Sequence, residues 1–338
     1  MTNKNSKILV TGAAGFLGSH LSEQLSILGH SVIGIDNMIG GYKDNIPKNI
    51  KFHKIDCCDF EKVQNVMKGI DVVYHCAATA HEGLSVFSPF EITKNNYLAS
   101  VSIFSAAVNE KVKRIIFCSS MARYGSQDSP FHENMKPQPV DPYAISKVAS
   151  EDVLKNLCEL NNIEWVIAVP HNIIGPRQKY DDPFRNVVSI MINRMLQGKA
   201  PIIYGDGKQT RCFSYIDDCL SCMIPMLDEK KLNKQIINIG PDEEFVTINK
   251  VAELCSNITG VNLPPIYKKD RPQEVKHATC SADKARELLN YKTTVTLKEG
   301  IEKTFQYIKK RGVKPFEYHI NIEINNDLTP ETWTKKEI

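Results

Sequence analysis

The chain has 338 residues, and 42 Lys and Arg against 39 Asp and Glu leave a formal net charge of +3. That length exceeds what one compact core usually serves, so two lobes are expected, and the scattered cationic residues argue against a nucleic-acid partner. MTNKNSK is polar and runs straight into a strand, and no apolar run approaches the ~18–20 residues of a membrane span, so no membrane association and a cytoplasmic location are expected.

Residues 7–11 (KILVT) read as a short apolar strand, followed by the glycines of GAAGFLG. Leu17, Leu21, Leu25 and Leu28 recur at helical spacing over residues 16–28. HSVIGID (30–36) predicts a second strand, 63–67 a helix and DVVYHC (71–76) a third strand. A long helix is predicted over 92–109, a strand at 114–119 (RIIFCS), a helix over 143–161 and a strand at 165–169 (WVIAV). Strand and helix alternate throughout, which predicts an α/β fold with a parallel sheet covered on both faces.

After Pro170 the loops lengthen, punctuated by Gly175, Pro176, Pro183, Gly205 and Gly207. Helices are predicted at 187–197, 248–258 and 282–289, with a core strand at 236–240. A nucleotide-binding lobe is therefore expected over 1–174 plus about 212–242, and a smaller lobe over about 175–211 plus 243–338. The polar tail 314–338, with Phe316, Tyr318 and Trp333 isolated in it, is expected either to pack across the surface or to be partly mobile. Most of the ten cysteines fall in apolar runs, which suits buried thiols in a reducing compartment. Cys219 and Cys222 form a CxxC, yet they sit in the amphipathic pattern DDCLSCMIPML with no second pair, so core packing is expected and no metal.

Gly12, Gly15 and Gly18 follow the first strand and open the first helix, with Phe16 and Leu17 between them. Three glycines there permit a tight turn, close approach to a pyrophosphate and packing of the helix on the sheet, with the helix N-terminus facing negative charge. The spacing is GxxGxxG rather than GxGxxG, in the strand–turn–helix context the motif needs. Asp36 closes the second strand, next to Asn37. A carboxylate there suits the two ribose hydroxyls of an adenosine and repels a 2′-phosphate, which favours NAD over NADP. Asp56, next to Cys57, is either an adenine contact or a solvated loop acid. Tyr143 and Lys147 lie four apart on a predicted helix and share a face.

TGAAGFLG, Asp36, Asp56, HCAAT, Asn96, CSSMARYG and Tyr143-x-x-x-Lys147 occur in one order that resembles the extended short-chain dehydrogenase/reductase family, in its nucleotide-sugar epimerase/dehydratase branch. PHNIIGPRQ, YGDGKQTRCFSYIDD and KDRPQEVKHA extend the likeness over about residues 6–310, and the pattern is most similar to UDP-hexose 4-epimerases. The resemblance implies a Rossmann-type doubly wound parallel sheet, NAD as cofactor, and a smaller α/β lobe that binds the nucleotide sugar. It implies that Tyr143 is the general acid–base on the carbon-4 hydroxyl, with Ser120 bonded to that hydroxyl. Lys147 would hold the nicotinamide ribose and, as an ammonium, lower the tyrosine's pKa from its usual ~10. Ala77, Ala78, Asn96, Ser119 and Pro170 would line or brace the cofactor site. Asn172, Tyr204, Arg211 and Arg271 would hold the substrate, the two arginines through forked contacts to the diphosphate. Asp218 and Glu274 are assigned ribose or supporting roles.

Within this branch, dehydratases resemble one another in an Asp-Glu pair after the serine, and decarboxylases in a Glu. Met121 and Ala122 stand there instead, and neither moves a proton. Reversible oxidation at carbon 4 remains, which implies a UDP-hexose 4-epimerase serving polysaccharide biosynthesis, with a nucleotide-sugar dehydratase or another epimerase of the same family as the alternative. His81 and Glu82 fall near the sugar pocket and are either proton carriers, for an unusual elimination or a 3,5-type epimerisation, or loop residues that bind sugar hydroxyls or cap a turn. Ala278 stands where narrow hexose epimerases place a tyrosine, which implies room for a 2-acetamido group, as in UDP-GlcNAc and UDP-GalNAc. The family also implies a homodimer through the helices after Ile92 and Tyr143, with Val101, Phe104 and Val108 at the contact.

Overall fold

The computed structural model describes residues 5–338. The first four residues of the expected nucleotide lobe lie outside them. The opening stretch gives strand β1 (Lys7–Thr11), helix α1 (Phe16–Ile27), β2 (Ser31–Asp36), β3 (Lys51–Lys54), α2 (Phe60–Met67) and β4 (Val72–His75). Three helical pieces follow: α3 (Glu82–Ser85), α4 (Pro89–Thr93) and α5 (Ala99–Asn109). Then come β5 (Arg114–Cys118), α6 (Pro142–Leu160) and β6 (Glu164–Pro170).

With β7 (Ile173–Ile174) the short strands begin. Helix α7 (Val187–Leu196) precedes β8 (Ile202–Tyr204), β9 (Thr210–Arg211) and β10 (Ser214–Tyr215). Helix α8 (Ile216–Met223), β11 (Gln235–Ile239), β12 (Val246–Thr247) and α9 (Ile248–Thr259) follow. The chain ends with β13 (Ile266–Lys268), β14 (His277–Ala278), α10 (Asp283–Leu289), α11 (Leu297–Arg311) and α12 (Glu331–Thr334).

Seven strands form one parallel sheet in the order β3-β2-β1-β4-β5-β6-β11. Its central strands are apolar and buried on both faces, as a sheet covered by helices requires. One face packs Leu9, Val73, Ile115 and Ile167 against α2, α5 and α6. The other packs Ile8, Val10, Tyr74 and Ile116 against α1 and α8, and Ala285 of α10 belongs to that same cluster. The order reverses between β1 and β4, and such a switch point opens a crevice beyond the strands' carboxyl ends.

Local signals set the helices that matter for this crevice. Asp141 caps α6, its carboxylate accepting from the Ala144 amide at 2.8 Å, and Pro142 fits the first turn because it lacks the N–H that would be orphaned there. Cys219 and Cys222 are buried free thiols in the sheet core. A second cluster joins α7, α9 and α11 through Met191, Val251 and Ile301. Helix α11 was not anticipated, although Leu297, Ile301, Phe305 and Ile308 keep helical spacing and Thr296 and Glu299 form a capping box. The tail packs: Trp333 is 2% exposed, with its ring against Phe87, Phe184 and Tyr204.

The predicted helix over 92–109 needs one correction. Between α4 and α5 the backbone makes a π turn at Lys94–Leu98. The wider turn takes an extra residue and swings the following side chains by roughly 100°. Phe104, expected at a dimer contact, is fully buried and packs edge-on against Phe117 and His75, while Val101 and Val108 are half-buried.

Candidate active site

The turn after β1 places Gly12 at φ +73°, and a Cβ there would meet the backbone of Ala77 at 3.0 Å. A Cβ on Gly18 would fall 2.2 Å from the Gly12 carbonyl oxygen. Both positions require glycine, and together they lay a bare backbone wall at the switch point. The cavity above it is lined by Gly12, Gly15, Phe16, Leu17 and Gly18 at the turn, and by Ala77 and Ala78 after β4. Asp36, Asn37, Asp56 and Cys57 close one end, while Ser119, Ser120, Tyr143, Lys147 and Pro170 close the other.

Asp36 accepts hydrogen bonds from the amides of Ala14 (3.0 Å) and Met38 (2.7 Å). Burial raises its pKa and those amides counter the rise, so the carboxylate is fixed beside the place where a ribose would lie. Asn37 donates to Asp56 at 3.3 Å. Asn96 does not line the cavity. Its amide grips the backbone N–H (2.9 Å) and C=O (3.1 Å) of Thr79, so it holds the chain after β4 in place.

Tyr143 stands in the first turn of α6, 6% exposed, its hydroxyl facing Ser120. Burial pushes its phenol well up; the Ser120 hydroxyl and the Arg185 cation pull it back, while Glu82 adds to the rise. Lys147 donates to the Cys118 carbonyl at 2.8 Å, and its Nζ lies 5.9 Å from the centre of the Tyr143 ring. Desolvation lowers its own pKa. Arg185 thus adds a second cation near Tyr143 that favours its phenolate. One Lys147 N–H is engaged by Cys118, which leaves two for other acceptors. Ser119 donates to Glu151 at 2.5 Å, and Arg123 binds both oxygens of that buried carboxylate at 3.0 and 2.9 Å, so the strand end carrying both serines is braced from below.

A second cavity continues from the first, with Ala80, Glu82, Asn172, Ile173, Arg185 and Asn186 lining both. Arg211, Arg271 and Tyr204 stand on its far wall. Glu274 joins the two arginines, 2.9 Å from Arg271 and 3.7 Å from Arg211. The Arg271 guanidinium also lies 4.9 Å over the Tyr204 ring, whose hydroxyl bonds to Thr332 of the tail at 2.6 Å. Asn172, at φ +42°, donates to the Cys212 carbonyl at 2.8 Å. His81 lines the first cavity, but its Nε2 is committed to Asp182 at 2.7 Å.

Two expectations are corrected here. Asp218 binds the segment from Thr294 to Val295 and lines neither cavity. Ala278 is buried in the core with Cys280, paired in the sheet with Arg211, and its own side chain lines neither cavity. Conversely, Arg185 and Asn186 went unnoticed in YDDPFRN. They precede α7, where Asn186 is left-handed at φ +65°, and that turn aims both into the cleft.

Comparison with known proteins agrees with this geometry. The model of the NAD dependent epimerase/dehydratase family matches residues 8–240. A UDP-N-acetyl-alpha-D-glucosaminuronate decarboxylase of Bacillus cytotoxicus is 32% identical over 321 residues, 90% of this chain and 98% of that one. The structure of Thermotoga maritima UDP-glucose 4-epimerase with UDP-glucose is similar at TM-score 0.84 and 31% identity, covering 90% of this chain and 99% of that one. That of Bacillus cereus UDP-glucuronic acid 4-epimerase with UDP-glucuronic acid and NAD has TM-score 0.84 and 32% identity, covering 90% and 100%. The glycine wall, the ribose-side Asp36 and the Tyr143–Lys147 pair suit NAD, and the chain belongs to the NAD dependent epimerase/dehydratase family, with NAD as its cofactor and nucleotide-sugar chemistry as its activity.

Proposed function

We propose that the protein interconverts the carbon-4 epimers of a UDP-hexose. The reading rests on one observation: Tyr143 and Ser120 line the first cavity together, beside Glu82 and Arg185 that line both cavities, and the two residues after Ser120, Met121 and Ala122, carry no proton. NAD bound along the glycine wall supplies hydride acceptance from carbon 4 and its return. Tyr143 takes the hydroxyl proton as the carbonyl forms and gives it back as the carbonyl is reduced, and Ser120 holds the oxygen throughout. Lys147, with two N–H groups not engaged by Cys118, would hold the cofactor ribose. Arg211 and Arg271 exchange their shared Glu274 contact for the diphosphate, which lies at one end of the second cavity and leaves the sugar at the junction. The Tyr204 ring under Arg271 keeps that guanidinium face-on.

This assignment places the nucleotide sugar in the second cavity and divides the chain between a cofactor lobe and a sugar lobe. A homodimer through α4, α5 and α6 belongs to the same reading, because Phe90 on α4, Leu98 in the π turn leading into α5 and Ile145 on α6 stand exposed. Acceptance of N-acetylated sugars draws nothing from Ala278 and is left to the substrate test. That test is NMR of products from UDP-hexoses, UDP-N-acetylhexosamines and UDP-hexuronates, without added NAD. A pair of 4-epimers from one sugar is the expected result. Loss of water or carbon dioxide in place of epimers would sink the assignment in favour of a dehydratase or decarboxylase.

A further inference from the structure

Glu82 is a charged side chain in the cleft that the reaction above does not use. It lines both cavities, and no hydrogen bond or ion pair to its carboxylate is made among the described residues. Solvent reaches it along the open cleft, yet the walls crowd it, and desolvation together with the Asp141 and Glu274 anions pushes its pKa up to about 7 against the pull of Arg211 and Arg271. Tyr143 feels its charge as well. A carboxyl balanced between its two forms near neutral pH suits proton transfer better than charge pairing.

Its position is fixed from two sides. His81, immediately before it, is buried and bound to Asp182 at 2.7 Å, with its ring packed edge-on against Phe184 and His319. At the other end of α3, the Ser85 hydroxyl donates to the Glu82 carbonyl at 2.7 Å and lies 3.2 Å from Asp141, the residue that caps the helix carrying Tyr143. One network therefore positions Glu82 and Tyr143 relative to each other across the cavity junction. His81 is unsuited to the task itself, since Asp182 occupies its Nε2 and burial lowers its pKa.

We propose that Glu82 is a second catalytic acid–base group, acting on the carbon-bound proton next to the transient carbon-4 ketone of the sugar. This inference rests on the carbon-4 oxidation proposed above. The Glu82 carboxylate takes the α-proton. The C–H electron pair becomes the new C=C bond, and the carbonyl π pair moves onto the carbon-4 oxygen, where the Tyr143 and Ser120 hydroxyls stabilise it. The Glu82 carboxylic acid then returns a proton to the same carbon and the ketone re-forms. Nothing is oxidised or reduced in this step. Because the cleft is open, the proton on Glu82 exchanges with solvent between removal and return.

The test incubates the holoenzyme in D2O with each nucleotide sugar of the panel and follows NAD reduction by absorbance and the sugar protons by NMR. The expected result, with the sugar that reduces NAD, is deuterium at carbon 3 or carbon 5. In Glu82→Gln the ratio of deuterium uptake to NAD reduction should fall about 100-fold or more, the scale of a lost general base. NAD reduction by the wild type without deuterium at either carbon overturns the role of Glu82 and leaves carbon-4 oxidation standing. So does a Glu82→Gln ratio equal to that of the wild type. Absence of NAD reduction with every sugar overturns the oxidation and this step together. The wild-type measurement decides even if the variant fails to fold.

Discussion

At the cofactor end the cleft is walled by backbone; at the sugar end it is walled by charged side chains held by one another. Gly12 and Gly18 leave no space for a Cβ, and Ala77 presses against the first of them. Arg211 at the end of β9, and Arg271 and Glu274 between β13 and β14, by contrast meet through their side chains. A wall of backbone recognises what nearly every relative must bind and cannot be retuned by one side chain. Charged side chains can be changed singly, and the relatives at about 30% identity are named for different sugars.

The contrast can be broken by substitution. The largest effect is expected at the junction: Tyr143→Phe should lower turnover by about 10²–10⁴-fold with bound NAD retained, measured by steady-state kinetics and by cofactor content after purification. Beneath the junction, Arg123→Met leaves the Glu151 carboxylate buried without its forked partner. It should cost about 3–5 kcal/mol of stability by denaturant unfolding. At the backbone wall, Gly18→Ala forces its Cβ against the Gly12 carbonyl. A loss of about 1–3 kcal/mol in stability is expected, with lower NAD content. At the side-chain wall, Arg271→Ala should raise KM about tenfold or more and leave kcat nearly unchanged, the mark of lost ground-state binding.

A pH effect separates the core from both walls. His75, buried between Thr11 and Ser100, has its pKa lowered to about 3 by desolvation. The unfolded chain takes up that proton near pH 6.5, so this contribution to stability is complete above that value and is lost as pH falls toward 3. Between pH 7 and 5 the loss should be about 2 kcal/mol, read from thermal unfolding.

The cofactor end was legible in the sequence because its signals are local. The glycines, the acid closing β2 and the Asp-Pro start of α6 each act within a few residues of themselves. Where the outcome depended on distant segments, the pattern misled. Residues 92–109 keep a helical apolar pattern whether or not a π turn interrupts it, and only packing against Phe117 shows that Phe104 faces inward. Ala278 aligned with a pocket position yet lies in the core below it. Asn96 matched the cofactor site but reaches it through Thr79. Arg185 carried no local signal at all: its place beside Tyr143 follows from the fold of the loop between Asp182 and α7.

The central claim is hydride removal at carbon 4 with Tyr143 taking the hydroxyl proton. Its most direct measurement mixes holoenzyme rapidly with UDP-hexose carrying deuterium at carbon 4 and follows the absorbance of reduced nicotinamide. A transient rise is predicted, several-fold slower than with the unlabelled sugar and absent from Tyr143→Phe over the same interval. Epimer formation with no transient and no isotope effect would contradict it.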